Sequence, residues 1–225
     1  MFNGFTEETQ DFLWGLRLNN DRSWFIPRKE TFERVVKKPM DELAFQTLAL
    51  MQERFEKEDF QLHIARIYRD ARRLYGRGPY KDHLWFTIHT GQRHTGGPAN
   101  WFEIGPEGYS LGMGMWSEKA SLSQFFRKRI DADPKAFAAI ARAVDDGTSQ
   151  IWGDEYKKKK GERGPLIDPW YNRKNVNIGK EGPFGSFVAN PDLPQILADQ
   201  FAVYLPMYHF MLDVWHEAQA YEMDK

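Results

Sequence analysis

Along the first fifty-odd residues the apolar positions recur with a helical period. Phe12, Leu13 and Leu16 make a short stripe behind Thr6, an N-cap with Glu7 and Glu8 in the first turn, and Asn19-Asn20-Asp21 ends that helix. Ser23 is read as the cap of a second helix carrying Phe25, Phe32, Val35 and Val36. Pro39 either kinks it or starts a new one, and Met40, Leu43, Ala44, Thr47, Leu48, Met51 and Phe55 then repeat at i, i+3, i+4, i+7. At Leu62 the period drops to two. Leu62, Ile64, Arg66 and Tyr68 alternate with His63, Ala65, Ile67 and Arg69, which is strand spacing. Leu84–His89 predicts a second strand, and Asn100–Ile104 and Tyr109–Trp116 predict two more around the hairpin turn Gly105-Pro106-Glu107-Gly108.

Helical spacing returns with Leu122, Phe125, Phe126 and Ile130. Asp133-Pro134 then caps a helix with Phe137, Ile140, Ala141 and Val144 inside and Gly147 at its end. Gln150–Tyr156 is expected to add a strand, and Asp168–Pro183 reads as irregular with a short strand at Asn175–Ile178. Asn190-Pro191 opens a last helix that Pro206 should kink. The sum is an α+β fold, a central antiparallel sheet of about five strands covered by N-terminal and C-terminal helices. One domain is expected over 1–225, with a helical layer at 1–57, strands at 62–116, helices at 119–146 and a mixed segment at 148–225.

Composition narrows the function classes. The 225 residues contain no cysteine, which excludes disulfides, thiolate metal sites and a cysteine nucleophile. The N-terminal residues show no secretory pattern and no apolar run approaches a membrane span, so a cytoplasmic protein is expected, with no membrane partner. A net charge of -1 gives no global attraction to nucleic acid, which is an unlikely partner, and any basic function must be local. The basic run Lys157–Lys160 is read as a solvated loop.

Local charge does concentrate at one place. Arg66, Arg69, Arg72, Arg73, Arg77 and Lys81 fall within sixteen residues, opposed mainly by Asp70 and Asp82. Guanidinium forks suit phosphate and carboxylate groups, so Arg69, Arg72 and Lys81, with Arg66, are the candidate ligands for a small anion, and Gly76, Gly78 and Pro79 could form a nest of backbone N–H groups beside them. Asp70 would orient an arginine, and Tyr80 and His83 are the candidate proton-transfer groups. The competing reading is that the same charges form an ion-pair network bracing the fold, with Asp70 or Glu103 as partner of a covered arginine. The residues do not decide whether the protein is an enzyme.

Other features carry less. Gly112 and Gly114 share one strand face and would leave a groove for a helix or a ligand near Trp101, Tyr109 and Trp116. His209, Asp213, His216 and Glu217 lie on one flank of the last helix, and His63, His83, His89 and His94 scatter near the strands. Neither set completes a metal site, and no cofactor or metal is expected. No Gly-x-Ser-x-Gly nucleophile motif is present.

Gly4-Phe5, Phe12-Leu13, Asn19-Asn20-Asp21-Arg22-Ser23-Trp24-Phe25, Arg66-Ile67-Tyr68-Arg69-Asp70-Ala71-Arg72 and Pro79-Tyr80-Lys81, with Gly112-Met113-Gly114-Met115-Trp116 further on, together resemble an uncharacterised family of bacterial and fungal proteins catalogued as a domain of unknown function. The resemblance extends over nearly the whole chain and implies an α+β domain with one basic centre, without naming a reaction. Arg73 stands where phenylalanine is expected, and the residues before Pro79 are richer in glycine and arginine than the pattern.

Overall fold

A computed structural model describes residues 1–91, 96–115 and 119–224. His94 and Trp116, and with them the expected strand end at Trp116, lie outside the described residues. The helices are α1 (Glu7–Leu18), α2 (Arg22–Phe25), α3 (Lys29–Phe32), α4 (Lys38–Arg54), α5 (Ala120–Ala132), α6 (Pro134–Ala143), α7 (Asp168–Tyr171) and α8 (Leu193–Met223). The strands are β1 (Phe60–Ile64), β2 (Leu84–Thr90), β3 (Ala99–Ile104), β4 (Gly108–Gly114), β5 (Gln150–Trp152) and β6 (Asn177–Pro183). They form a six-stranded antiparallel sheet in the order β1-β2-β3-β4-β6-β5. The α+β class is as expected, with one strand more. No helix among the described residues is long and apolar enough to cross a membrane.

The chain forms two compact units. The first comprises Met1–Gly91, Trp101–Leu111 and Glu181–Asp199. Its core holds the apolar stripes of α1 and α4, Leu13, Leu16, Met40, Leu43 and Met51, with Phe86, Ile88, Phe102 and Ile104 from the sheet, all fully covered. Thr9 links two helical pieces: its hydroxyl accepts from the Thr6 N–H at 3.1 Å and donates to the Val35 carbonyl at 2.7 Å. Val35 belongs to a π-helical turn, Glu33–Lys37, that runs directly into α4. The cap of α2 is Asp21, not Ser23. Its carboxylate accepts from the Trp24 N–H at 2.9 Å and from the Ser23 hydroxyl at 2.6 Å, which supplies the acceptor an N-cap needs two positions earlier than expected.

Strand β1 also stops sooner than its alternation predicts. It pairs with β2 from Phe60 opposite Thr90 to Ile64 opposite Phe86, and beyond Ala65 the ladder gives way to an isolated bridge between Tyr68 and Tyr80. Four residues separate Ile64 from Tyr68, but six separate Tyr80 from Phe86. Two extra residues are therefore taken up on the second side, an enlarged β-bulge that pushes Asp82 and His83 out of the ladder.

The second unit comprises Gln92–Asn100, Gly112–Lys180 and Gln200–Lys225. Phe126, Phe137 and Phe210 form its aromatic centre, with ring centroids 5.0 to 5.8 Å apart. Asp133 caps α6 by accepting from the Ala136 N–H at 2.9 Å, as the Asp-Pro pair predicts. β5 ends at Trp152 instead of Tyr156, though Glu155 still bridges to Arg173. β6 spans Asn177 to Pro183 and so runs four residues beyond its β5 pairing partners. Its approach to β4 is close: a Cβ on Gly114 would lie 2.1 Å from the Asn177 side-chain oxygen. The Gly114 groove is thus filled by a neighbouring strand. Helix α8 runs on through Pro206, whose flanking turns are held by the fully buried Tyr204, Met207 and Tyr208. Asp146, whose side chain is 19% exposed, accepts from the Thr148 and Ser149 N–H groups, from both of their hydroxyls, from Gln200 at 2.8 Å and from Lys180 at 2.8 Å. Burial alone would raise its pKa, but these donors hold it far below the ordinary carboxylate value.

Candidate functional site

The bulge places Asp82 and His83 at the edge of a polar cleft of about 620 Å³ in the first unit. Asp82 is the hub. It accepts from Arg17 Nε at 2.5 Å, lies 3.0 Å from His83 Nδ1 and 3.5 Å from the Arg69 guanidinium. Arg17 reaches it from the last turn of α1 and also pairs with Glu107 in the β3–β4 hairpin turn. Burial would raise the Asp82 pKa, but the hydrogen bonds from Arg17 and His83 hold it below the usual range. With Nδ1 engaged by Asp82, the ring orientation of His83 is fixed, and the ring stacks on Trp85 at 5.5 Å between centroids.

Glu103 on β3 lines the same cleft. Its carboxyl is half-buried, and among the described residues it has no arginine partner. Burial pushes its pKa up, the neighbouring Asp82 charge adds to this, and His83 acts the other way. Tyr109, Ser110, Glu181 and Gly182 complete the far wall. Here glycine is required: a Cβ on Gly108 would sit 2.0 Å from the Gly182 carbonyl oxygen.

The arginine-rich stretch is organised differently. Arg69 donates Nε to the Tyr80 carbonyl at 2.7 Å besides facing Asp82. Arg72 forks onto Asp70 at 2.8 and 3.0 Å while remaining 87% exposed. Asp70 also accepts the Arg72 N–H, capping a single 3₁₀ turn. Lys81 donates to the Arg66 carbonyl at 2.6 Å and lies 4.3 Å above the Trp85 ring; burial and the nearby Arg69 charge lower its pKa. Arg66 itself is exposed. Of the four expected anion ligands, Arg69 and Lys81 lie near one another, while Arg72 is held by Asp70 and Arg66 is exposed. The alternation leaves open which arginine is covered; it is Arg69, and its carboxylate is Asp82, not Asp70 or Glu103.

Tyr80 is a core residue, 2% exposed and stacked on Phe25 at 4.1 Å, and burial raises its pKa. Its backbone is clamped from both sides by one side chain, since Asn20 accepts from the Tyr80 N–H and donates to the Tyr80 carbonyl, each at 3.0 Å. Gly78 exists for that clamp: a Cβ there would lie 2.3 Å from Asn20. So the Asn19-Asn20-Asp21 and Gly78-Pro79-Tyr80 motifs are two halves of one structural joint. Of the expected proton-transfer groups, only His83 reaches the cleft.

On the last helix, Asp213 and Glu217 are taken by Arg129. In the Lys157–Lys160 run, the Lys160 N–H donates to Asn172 at 2.7 Å and its ammonium lies 4.6 Å above the Tyr156 ring. Sequence reasoning missed Arg17, Glu181 and the cleft role of Glu103. Each sits far along the chain from the bulge, and no local signal marks it.

The model of a family described as conserved hypothetical protein (DUF2461) matches residues 8–210. The chain belongs to that family. No curated protein matches it.

Proposed function

We propose that the polar cleft is a binding site for a small ligand with a cationic or donor-rich head, such as an amine, and that His83, oriented by Asp82, and Glu103 exchange protons with it. On this reading Arg69, Arg72 and Lys81 brace the fold and do not bind the ligand. The observation that carries it is Glu103, a half-buried carboxyl with no arginine or lysine partner among the described residues, beside a histidine already held by a carboxylate. Burying a carboxyl in that way is unfavourable unless something supplies donors or positive charge. The lining supports a cation over an anion, with one guanidinium against three carboxyls, Glu103, Glu107 and Glu181. Arg17 is already committed to Asp82 and Glu107.

A thermal-shift panel of amines, polyols, carboxylates and phosphate esters tests this. An amine at a hundredfold excess over its dissociation constant stabilises by roughly 2.7 kcal/mol, and Glu103→Gln removes that gain. Stabilisation confined to phosphates or carboxylates, and lost in Arg69→Ala and Arg72→Ala, overturns the reading in favour of an anion site on the arginine stretch.

A further inference from the structure

A second hollow of the first unit, about 330 Å³, is lined by the Ala65–Tyr68 segment and has an apolar floor of Phe25, Phe32, Ile67 and Leu84, each no more than 4% exposed. Its volume is at the lower end of the roughly 300–1,000 Å³ typical of ligand pockets. The rim is charged. Lys37 pairs with Asp41 within the turn that enters α4, and Glu33 adds one further carboxylate near Lys37. Lys29 and Arg66 both line the pocket and are both exposed, and no carboxylate among the described residues pairs with either. The rim therefore carries three cations against two carboxylates. Glu33 and Lys37 project from the π-helical turn, a widened turn often found at functional sites.

We propose that this pocket binds an amphipathic anion, a short aliphatic body on the apolar floor with a carboxylate or phosphate head held by Lys29 and Arg66. The apolar floor rewards chain length and the unpaired cations reward a negative head. This makes Arg66 an anion ligand away from the rest of its arginine-rich stretch, and it does not depend on what the polar cleft binds.

Titration calorimetry on the full chain with hexanoate, octanoate and decanoate, and with octanol and octyl phosphate, tests both halves. Binding is expected to tighten up to about fourfold per added methylene until the pocket is full. Octanoate or octyl phosphate should bind roughly tenfold more tightly than octanol, and whichever is tighter identifies the head. The double variant Lys29→Gln, Arg66→Gln should erase that preference while keeping the length dependence, and unchanged circular dichroism checks its fold. Ala65→Leu, which fills the floor, should abolish the length dependence. Octanol matching both anions, a preference that survives the double variant, a length dependence that survives Ala65→Leu, or no heat with any probe would overturn the proposal.

Discussion

Asp82 and Asp146 are carboxylates of the same kind in the two units, each gathering several donors and each held below its ordinary pKa against the effect of burial. They differ in what surrounds the donors. Asp146 is saturated by backbone N–H groups, hydroxyls, Gln200 and Lys180, with no histidine among these donors. Asp82 holds Arg17, Arg69 and the His83 imidazole, and its neighbourhood opens into a cleft where Glu103 has no arginine or lysine partner among the described residues. A carboxylate whose donors are all spent on one another stabilises a fold. One that positions a proton carrier at a cavity can do chemistry.

The comparison sharpens most at Asp146. Asp146→Asn should lower the unfolding free energy by about 2–3 kcal/mol in urea titrations, because a charged acceptor with many donors is lost. The sign with pH follows from the depressed pKa: the contribution is present above the unfolded value of about 3.9 and fades as pH falls below it. The gap between the two proteins should therefore close progressively below about pH 4.

Asp82→Asn should cost less, about 1–2 kcal/mol, since Arg17 keeps Glu107 and Arg69 keeps the Tyr80 carbonyl. It should also release the His83 ring from its fixed orientation, read from its imidazole signals by NMR. If those signals do not move in that variant, Asp82 is a brace like Asp146 and the contrast fails.

Glu103→Gln should act in the opposite direction. A raised pKa means the wild-type carboxyl favours folding fully only below its unfolded pKa and loses that advantage as pH rises through the folded one. The amide variant should be more stable by on the order of 1 kcal/mol at pH 7, with the difference vanishing toward pH 4. A destabilised variant would mean that Glu103 has a structural partner. The smallest effect belongs to Arg72→Ala, whose fork onto Asp70 is solvent-exposed, and its melting temperature should match the parent's.

Much of the scaffold was readable from residue order. The stripes of α1 and α4, the hairpin around Gly105–Gly108 and the Asp133-Pro134 cap are local features and appear where their patterns place them. β6 was harder. Asn177-Ile178-Gly179-Lys180-Glu181-Gly182-Pro183 has no apolar alternation, and it pairs because Gly108 and Gly114 let it come close. The arginines of the Arg66–Lys81 stretch were conspicuous by composition, yet a count of charges cannot say which ones already have partners. His83 was legible as a lone histidine after Pro-Tyr-Lys. Its neighbours Arg17 and Glu103 were not, since only the folded sheet and α1 bring them to the bulge.

The two-residue slip also makes that bulge a detachable cassette. Side chains alternate with a period of two, so removing Asp82 and His83 together leaves every residue on its original face and lets the ladder from Phe60 continue unbroken to Arg69. Removing either one alone turns the remaining strand inside out. The paired deletion should yield a protein with native-like circular dichroism and no cleft chemistry, and each single deletion a poorly folded one, so that arithmetic parity alone separates a silent scaffold from a broken one.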